Sequence, residues 1–243
     1  MFKRFRRLLV FSGILFQQAA AQEGFAVVEL FTSQSDPNAV VAGSVIRKLQ
    51  ERYKSSDVHF LEYHVDYWNR SVWMDPYSRR PFTLRQENYS RVLPGHEMYT
   101  PQLVINGIRD ITGTDSILPV RQIDSLLKQR PTITLSIRLD SLSNDTAYIR
   151  FFSSRADKNL SVRIAMLEEG LSNSIEGGPN KGQMLYQGPI VRRLVATSLR
   201  EGEGMLRVPV KEVLSKDRCV FKGFIQHKQT MQILAVAVCR LQE

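Results

Sequence analysis

The chain has 243 residues, of which 43% are hydrophobic and 23% charged. This is globular composition, and it excludes a disordered tail, a collagen-like repeat and a small disulfide-stapled miniprotein. Formal net charge is +9, but four of the 33 basic residues (Lys3, Arg4, Arg6, Arg7) lie in the first seven positions, and the mild excess that remains forms no long basic run. Nothing in this distribution points to a nucleic-acid partner.

Those basic residues open the first element. No acid precedes Glu23, residues 8–16 (LLVFSGILF) are mostly apolar, and Ala19, Ala20 and Ala21 follow before Gln22. This is the order of a secretory signal peptide. Residues 1–21 are therefore expected to be removed and the protein exported, to the periplasm or outside the cell. The apolar run rises only about 14 Å as a helix, too little for a hydrocarbon core of roughly 30 Å. No later run is long enough for a membrane span, so none is expected in the mature chain.

From residue 24 to about 130, strands and helices alternate. Residues 25–31 form a short apolar run, as in a strand buried on both faces. Asp36 and Pro37 read as the N-cap and first position of a helix, with Ala42, Ile46, Leu49 and Tyr53 on its buried face. Residues 58–65 predict a second strand, residues 81–92 a polar-rich helix and residues 102–105 a third strand. Asn106-Gly107 is a hairpin turn into residues 108–111. Thr114 or Asp115 caps a last helix ending near Arg130, with Ile123, Leu126 and Leu127 inward.

After Pro131 the period becomes two. Ile133, Leu135, Ile137 and Leu139 alternate with polar residues, and Val162, Ile164 and Met166 alternate with Arg163 and Ala165. Further strands fall near 146–152, 188–198, 205–210, 218–226 and 232–241. The sequence thus predicts an α/β domain at 23–130 followed by an antiparallel β-sandwich-like domain at 131–243.

Several blocks carry more specific information. Glu29-Leu30-Phe31-Thr32-Ser33-Gln34 closes the first strand. His64-Val65-Asp66-Tyr67-Trp68, Trp73-Met74-Asp75-Pro76, Phe82-Thr83-Leu84-Arg85-Gln86, the run YTPQLVING at 99–107 and Gly178-Pro179-Asn180-Lys181-Gly182 follow. In this order they resemble DUF1223, an exported bacterial family of unknown function in which a thioredoxin-like domain precedes a β-rich domain. The resemblance covers nearly the whole mature chain.

It implies a redox site directly after ELFTSQ, where the family carries Gly-Cys-x-x-Cys-Pro-Pro. Here the two cysteine positions are Asp36 and Ala39. Disulfide exchange needs an attacking thiolate and a resolving sulfur, and neither is present. The resemblance also implies that Thr100-Pro101 is the threonine and cis-proline of a peptide-docking loop facing that site. Asp36 then has two readings: a plain N-cap, or a negative charge kept in an old active-site groove to bind something. The function implied is a redox-inactive binding module for a peptide, protein or small ligand, with no enzymatic activity and no cofactor expected.

The remaining candidates are weaker. Cys219 and Cys239 are the only cysteines, and an even count in an exported chain suggests a disulfide. A hairpin centred on Gln229 places them opposite each other; the alternatives are two buried thiols, or a working dithiol in a redox protein. His64 and Asp66, two apart on a strand, share a face and with Asp36 offer a metal-binding reading. Glu168-Glu169 reads as a solvated turn. The Gly-rich run at 177–182 lacks the Gly-Lys-Ser/Thr ending of a phosphate loop.

Overall fold

The structure, a computed structural model, describes residues 24–70 and 72–241. The expected signal segment at 1–21 lies outside these residues. The first half contains β1 (Ala26–Thr32), α1 (Ala39–Arg52), β2 (Val58–His64), α2 (Arg80–Ser90), β3 (Gln102–Ile105), β4 (Arg109–Thr112) and α3 (Leu118–Leu126). Strand β1 is buried at every position, as its unbroken apolar run requires. It pairs in parallel with β2 and antiparallel with β3, and β3 pairs antiparallel with β4.

The two faces of this sheet are covered differently. Ala42, Ile46 and Leu49 of α1 pack with Ile123 of α3 against Val28, Leu30 and Leu103. On the other face Phe82 and Tyr89 of α2 pack against Phe31, Tyr63 and Val104. Helix α1 begins at Ala39, not at Pro37, because residues 34–38 are spent in a turn held by the Asp36 N–H to Ser33 carbonyl bond, 3.0 Å. Helix α3 is capped by Asp115, whose carboxylate accepts from the N–H groups of Ile117 and Leu118. Those bonds hold its pKa below the usual value.

The second half contains β5 (Leu135–Ser143), β6 (Thr146–Ser153), β7 (Leu160–Glu168), β8 (Ser172–Ser174), β9 (Met184–Tyr186), β10 (Ile190–Ser198), β11 (Glu203–Pro209), β12 (Cys219–His227) and β13 (Ile233–Arg240). Four of these strands extend the first-half sheet. The result is one eight-stranded mixed sheet in the order β13-β12-β7-β10-β2-β1-β3-β4. A three-stranded antiparallel sheet, β11-β6-β5, packs over β7, β12 and β13 through Ile137, Ile149, Phe151, Ile164 and Phe221. The short β8-β9 hairpin stands apart.

The join between the halves is made at Glu62. Its residue pairs with Ile190, its N–H donates to the Pro189 carbonyl at 2.9 Å, and its carboxylate accepts from the Gly188 N–H at 2.7 Å. Beyond this point the β2 edge diverges from β10, and the buried Lys222 ammonium donates to the Phe60 carbonyl at 3.0 Å instead. Burial lowers the Lys222 pKa to about 8.

The long sheet also curls back on itself. The Ile233 N–H at the start of β13 donates to the Asn106 carbonyl in the β3–β4 turn at 2.8 Å. Gly107, at φ +68°, has no room for a side chain there, since a Cβ would lie 2.0 Å from the Met231 carbonyl oxygen. The Asn106-Gly107 turn is therefore part of the contact between the two halves of the chain.

Candidate functional site: the capped start of helix α1 and a buried histidine

The loop from β1 to α1 brings Asp36 and Ala39 to the start of α1, and both are buried. Asp36 is 1% exposed. Its Oδ1 accepts from the Asn38 N–H at 2.8 Å, while its Oδ2 is buried without a hydrogen bond. The Gly-rich run folds over this turn. The Asn180 amide donates to the carbonyls of Gln34 and Asp36 at 2.9 and 2.7 Å. Gly177 lets the run approach, because a Cβ there would lie 1.9 Å from the Val72 carbonyl oxygen.

The Thr100–Pro101 peptide is cis. Its neighbourhood is filled by the chain's own aromatic residues. The Trp68 indole N–H donates to Thr100 Oγ1 at 2.5 Å, and the Tyr67 hydroxyl donates to Gln86 at 3.1 Å. Burial raises the Tyr67 pKa, with bonds to Gln86 and Thr100 acting against it and the Asp36 charge adding to it. The Pro101 carbonyl is taken by the Gly113 N–H at 2.7 Å. Trp68 thus bonds to the residue before the cis-proline, and Tyr67 bonds to α2.

Beneath this turn lies His64, at the end of β2. Its Nδ1 stands 2.6 Å from Asp75 Oδ2, and its Nε2 stands 3.2 Å from Glu62 Oε1, close enough for charge attraction but without hydrogen-bond alignment. Asp75 also accepts from the backbone N–H groups of Gln34 and Tyr77. Burial opposes charge on both residues. The mutual attraction wins: Asp75 is held below the usual carboxylate range, and His64 is raised to about 10. An imidazolium protonated at neutral pH is not a general base. The adjoining cavity, about 50 Å³, is lined by Ser33, Gln34, Ala39, Glu62, His64 and Gln187 among others. Ser33 Oγ accepts from the Ser35 N–H at 3.2 Å. The cluster fixes the loop that carries Asp36 rather than presenting a nucleophile.

Three sequence expectations are corrected here. Asp66 does not join His64: β2 ends at His64, the chain turns, and Asp66 accepts from the Thr83 hydroxyl in α2 instead. Among the described residues, no group of three or more His, Cys, Asp or Glu is placed to hold a metal ion. Cys219 and Cys239 are not joined by a disulfide. Cys239 lies opposite Phe221, and the Leu241 N–H reaches the Cys219 carbonyl. Two single steps move the register: the turn is centred between Gln229 and Thr230, not on Gln229, and one extra residue, Leu234, is bulged from β13 between the Gln226↔Ile233 and Ile225↔Ala235 pairs. Burial pushes the Cys219 thiol up to about 11, the opposite of a reactive thiol. Glu168 is also no solvated residue: it is fully buried and accepts from the N–H groups of Leu214 and Ser215.

A second buried cluster was not anticipated. The Arg85 guanidinium donates to Glu29 at 2.7 Å, to the Tyr89 hydroxyl at 3.0 Å and to Gln226 at 3.2 Å. Tyr89 donates to the other Glu29 oxygen. The signals were present: Glu29 and Glu62 are the single acids of β1 and β2, and Asp75 sits in the Trp-Met-Asp-Pro block.

These features define a mixed α/β protein with one large sheet, added antiparallel sheets and few helices. The chain belongs to the family described as Protein of unknown function (DUF1223), whose model matches residues 27–226. It is similar in fold to a protein of Agrobacterium tumefaciens known from its crystal structure, with TM-score 0.66 and 24% identity over 92% of this chain and 97% of that one. It is also similar to HBP35 of Porphyromonas gingivalis, with TM-score 0.62 and 12% identity over 91% of this chain and 76% of that one. No curated protein matches it.

Proposed function

We propose that this chain is an exported, thioredoxin-like protein with a degenerate active site, acting as a redox-inactive binding module for a peptide, a protein or a small ligand. Export rests on the charged, apolar and small-residue order of residues 1–21. The thioredoxin-like reading is supported by the run β1-α1-β2-α2-β3-β4-α3 with strand order β2-β1-β3-β4, and by the cis Thr100–Pro101 peptide near the α1 start.

The observation that carries the reading is the buried Asp36–Ala39 turn where a dithiol would stand. The chain's two cysteines lie elsewhere, in the core between the two sheets. Among the described residues no helix is long and apolar enough to cross a membrane.

The test is catalysed insulin reduction by dithiothreitol. No acceleration is expected. Acceleration that survives Cys219→Ser with Cys239→Ser would overturn the reading.

A further inference from the structure

Arg163, on β7, points to the same face of the large sheet as the Arg85 cluster, opposite Phe224 of β12 and Ala196 of β10. It makes no hydrogen bond and no ion pair among the described residues. Its Nε is buried without a partner, while its terminal nitrogens are not buried. Glu29, an acid whose charge favours the Arg163 cation, is already engaged by Arg85 and Tyr89. Burial and the Arg85 charge both disfavour the Arg163 cation.

A cavity of about 200 Å³ lies at this position, lined by Arg163, Arg85, Asn88, Leu84, Leu194 and Met231 together with Pro81. Positions 81, 84, 85 and 88 form one stripe of α2 at helical spacing, so the cavity is a slot between that helix and the sheet. Leu84, 44% exposed, stands at its mouth. A partly buried cation with no counter-charge is costly, and an anion in this slot would supply one.

We infer that this slot binds a small organic carboxylate with a short apolar group. One uncompensated guanidinium matches one negative charge, and its planar fork matches the two oxygens of a carboxylate. Leu84, Leu194 and Met231 supply apolar lining for the rest of the ligand, and Asn88 adds a polar residue to the lining. The slot is separate from the α1 start, and the assignment holds whether or not that site has redox activity.

The experiment is calorimetric titration of the purified protein with sodium hexanoate, in parallel with inorganic phosphate. Saturable hexanoate binding is expected, weakened at least tenfold in Arg163→Gln. That variant should melt no lower than wild type without ligand, since it loses an unpaired cation, and hexanoate should raise only the wild-type Tm. Leu84→Trp, which blocks the mouth and leaves Arg163 in place, should also abolish binding. Absence of saturable hexanoate binding by wild type, or equal binding by Arg163→Gln, overturns the inference. Tighter binding of phosphate than of hexanoate overturns the carboxylate class.

Discussion

His64 and Asp75 form a buried ion pair at 2.6 Å, and the same Asp75 oxygen holds the Gln34 N–H at 2.8 Å. One carboxylate thus couples the end of β2 to the loop before α1.

The pair makes stability depend on pH with a defined sign. The His64 pKa is about 10 in the folded protein, above the roughly 6.5 of an unfolded histidine. Its contribution is fully present below the unfolded value and is lost as pH rises through the folded one. The stability gap between wild type and His64→Gln should therefore shrink as pH rises through this window. Asp75→Asn breaks the pair and should cost about 3–5 kcal/mol at neutral pH. Urea denaturation across the pH range checks both, and a pH-independent gap would refute the charge assignment.

Asn180 should matter through backbone atoms alone. Its amide satisfies two carbonyls in the turn carrying Asp36. Asn180→Ala should cost about 1–3 kcal/mol and raise hydrogen exchange of residues 34–38. Asn180→Asp, which offers an acceptor where donors are needed, should be no better. Equal stability of all three proteins by chemical denaturation would remove Asn180 from this role.

Restoring sulfur tests the α1 start. Ala39 N–H already donates to the Asp36 carbonyl at 3.0 Å, so positions 36 and 39 share one turn. Asp36→Cys with Ala39→Cys should give a disulfide that small oxidants form and small thiols reduce. It should not reduce insulin, because positions 36 and 39 are buried and Asn180 lies against the turn. Mass spectrometry after alkylation reads the bond. Two alkylated cysteines at 36 and 39 after oxidation would show that the turn does not bring them together.

The native cysteines should titrate as two thiols in the denatured, unreduced protein. Cys219 and Cys239 sit in the apolar core between the sheets, and the Leu234 bulge sets Cys239 opposite Phe221. Thiol titration giving none would restore the expected bridge and refute this register.

Much of the first half was readable locally. The apolar run of β1, the 42-46-49-53 face of α1 and the Asn106-Gly107 turn each declare themselves within a few residues. What escaped was non-local. Sequence spacing paired His64 with Asp66, but the strand ends at His64, and the true partner is 11 residues away. Nothing near Ile190 reveals that β10 continues the sheet beside β2, because strand neighbours are chosen by tertiary packing. Leu234 shows the same limit on a smaller scale: one bulged residue altered every pairing beyond it. Arg163 read only as the polar member of an alternating strand, and its lack of a counter-charge depends on Glu29 being occupied elsewhere.

The contact of Ile233 with Asn106 has a consequence for synthesis. The β2 edge and the β3–β4 turn are completed by β10 and by the start of β13, which are made after them. A nascent chain that has delivered only β1 to β4 carries an uncovered strand edge and an unfilled interior face, both open to mispairing. The last strand is the piece that ends the exposure.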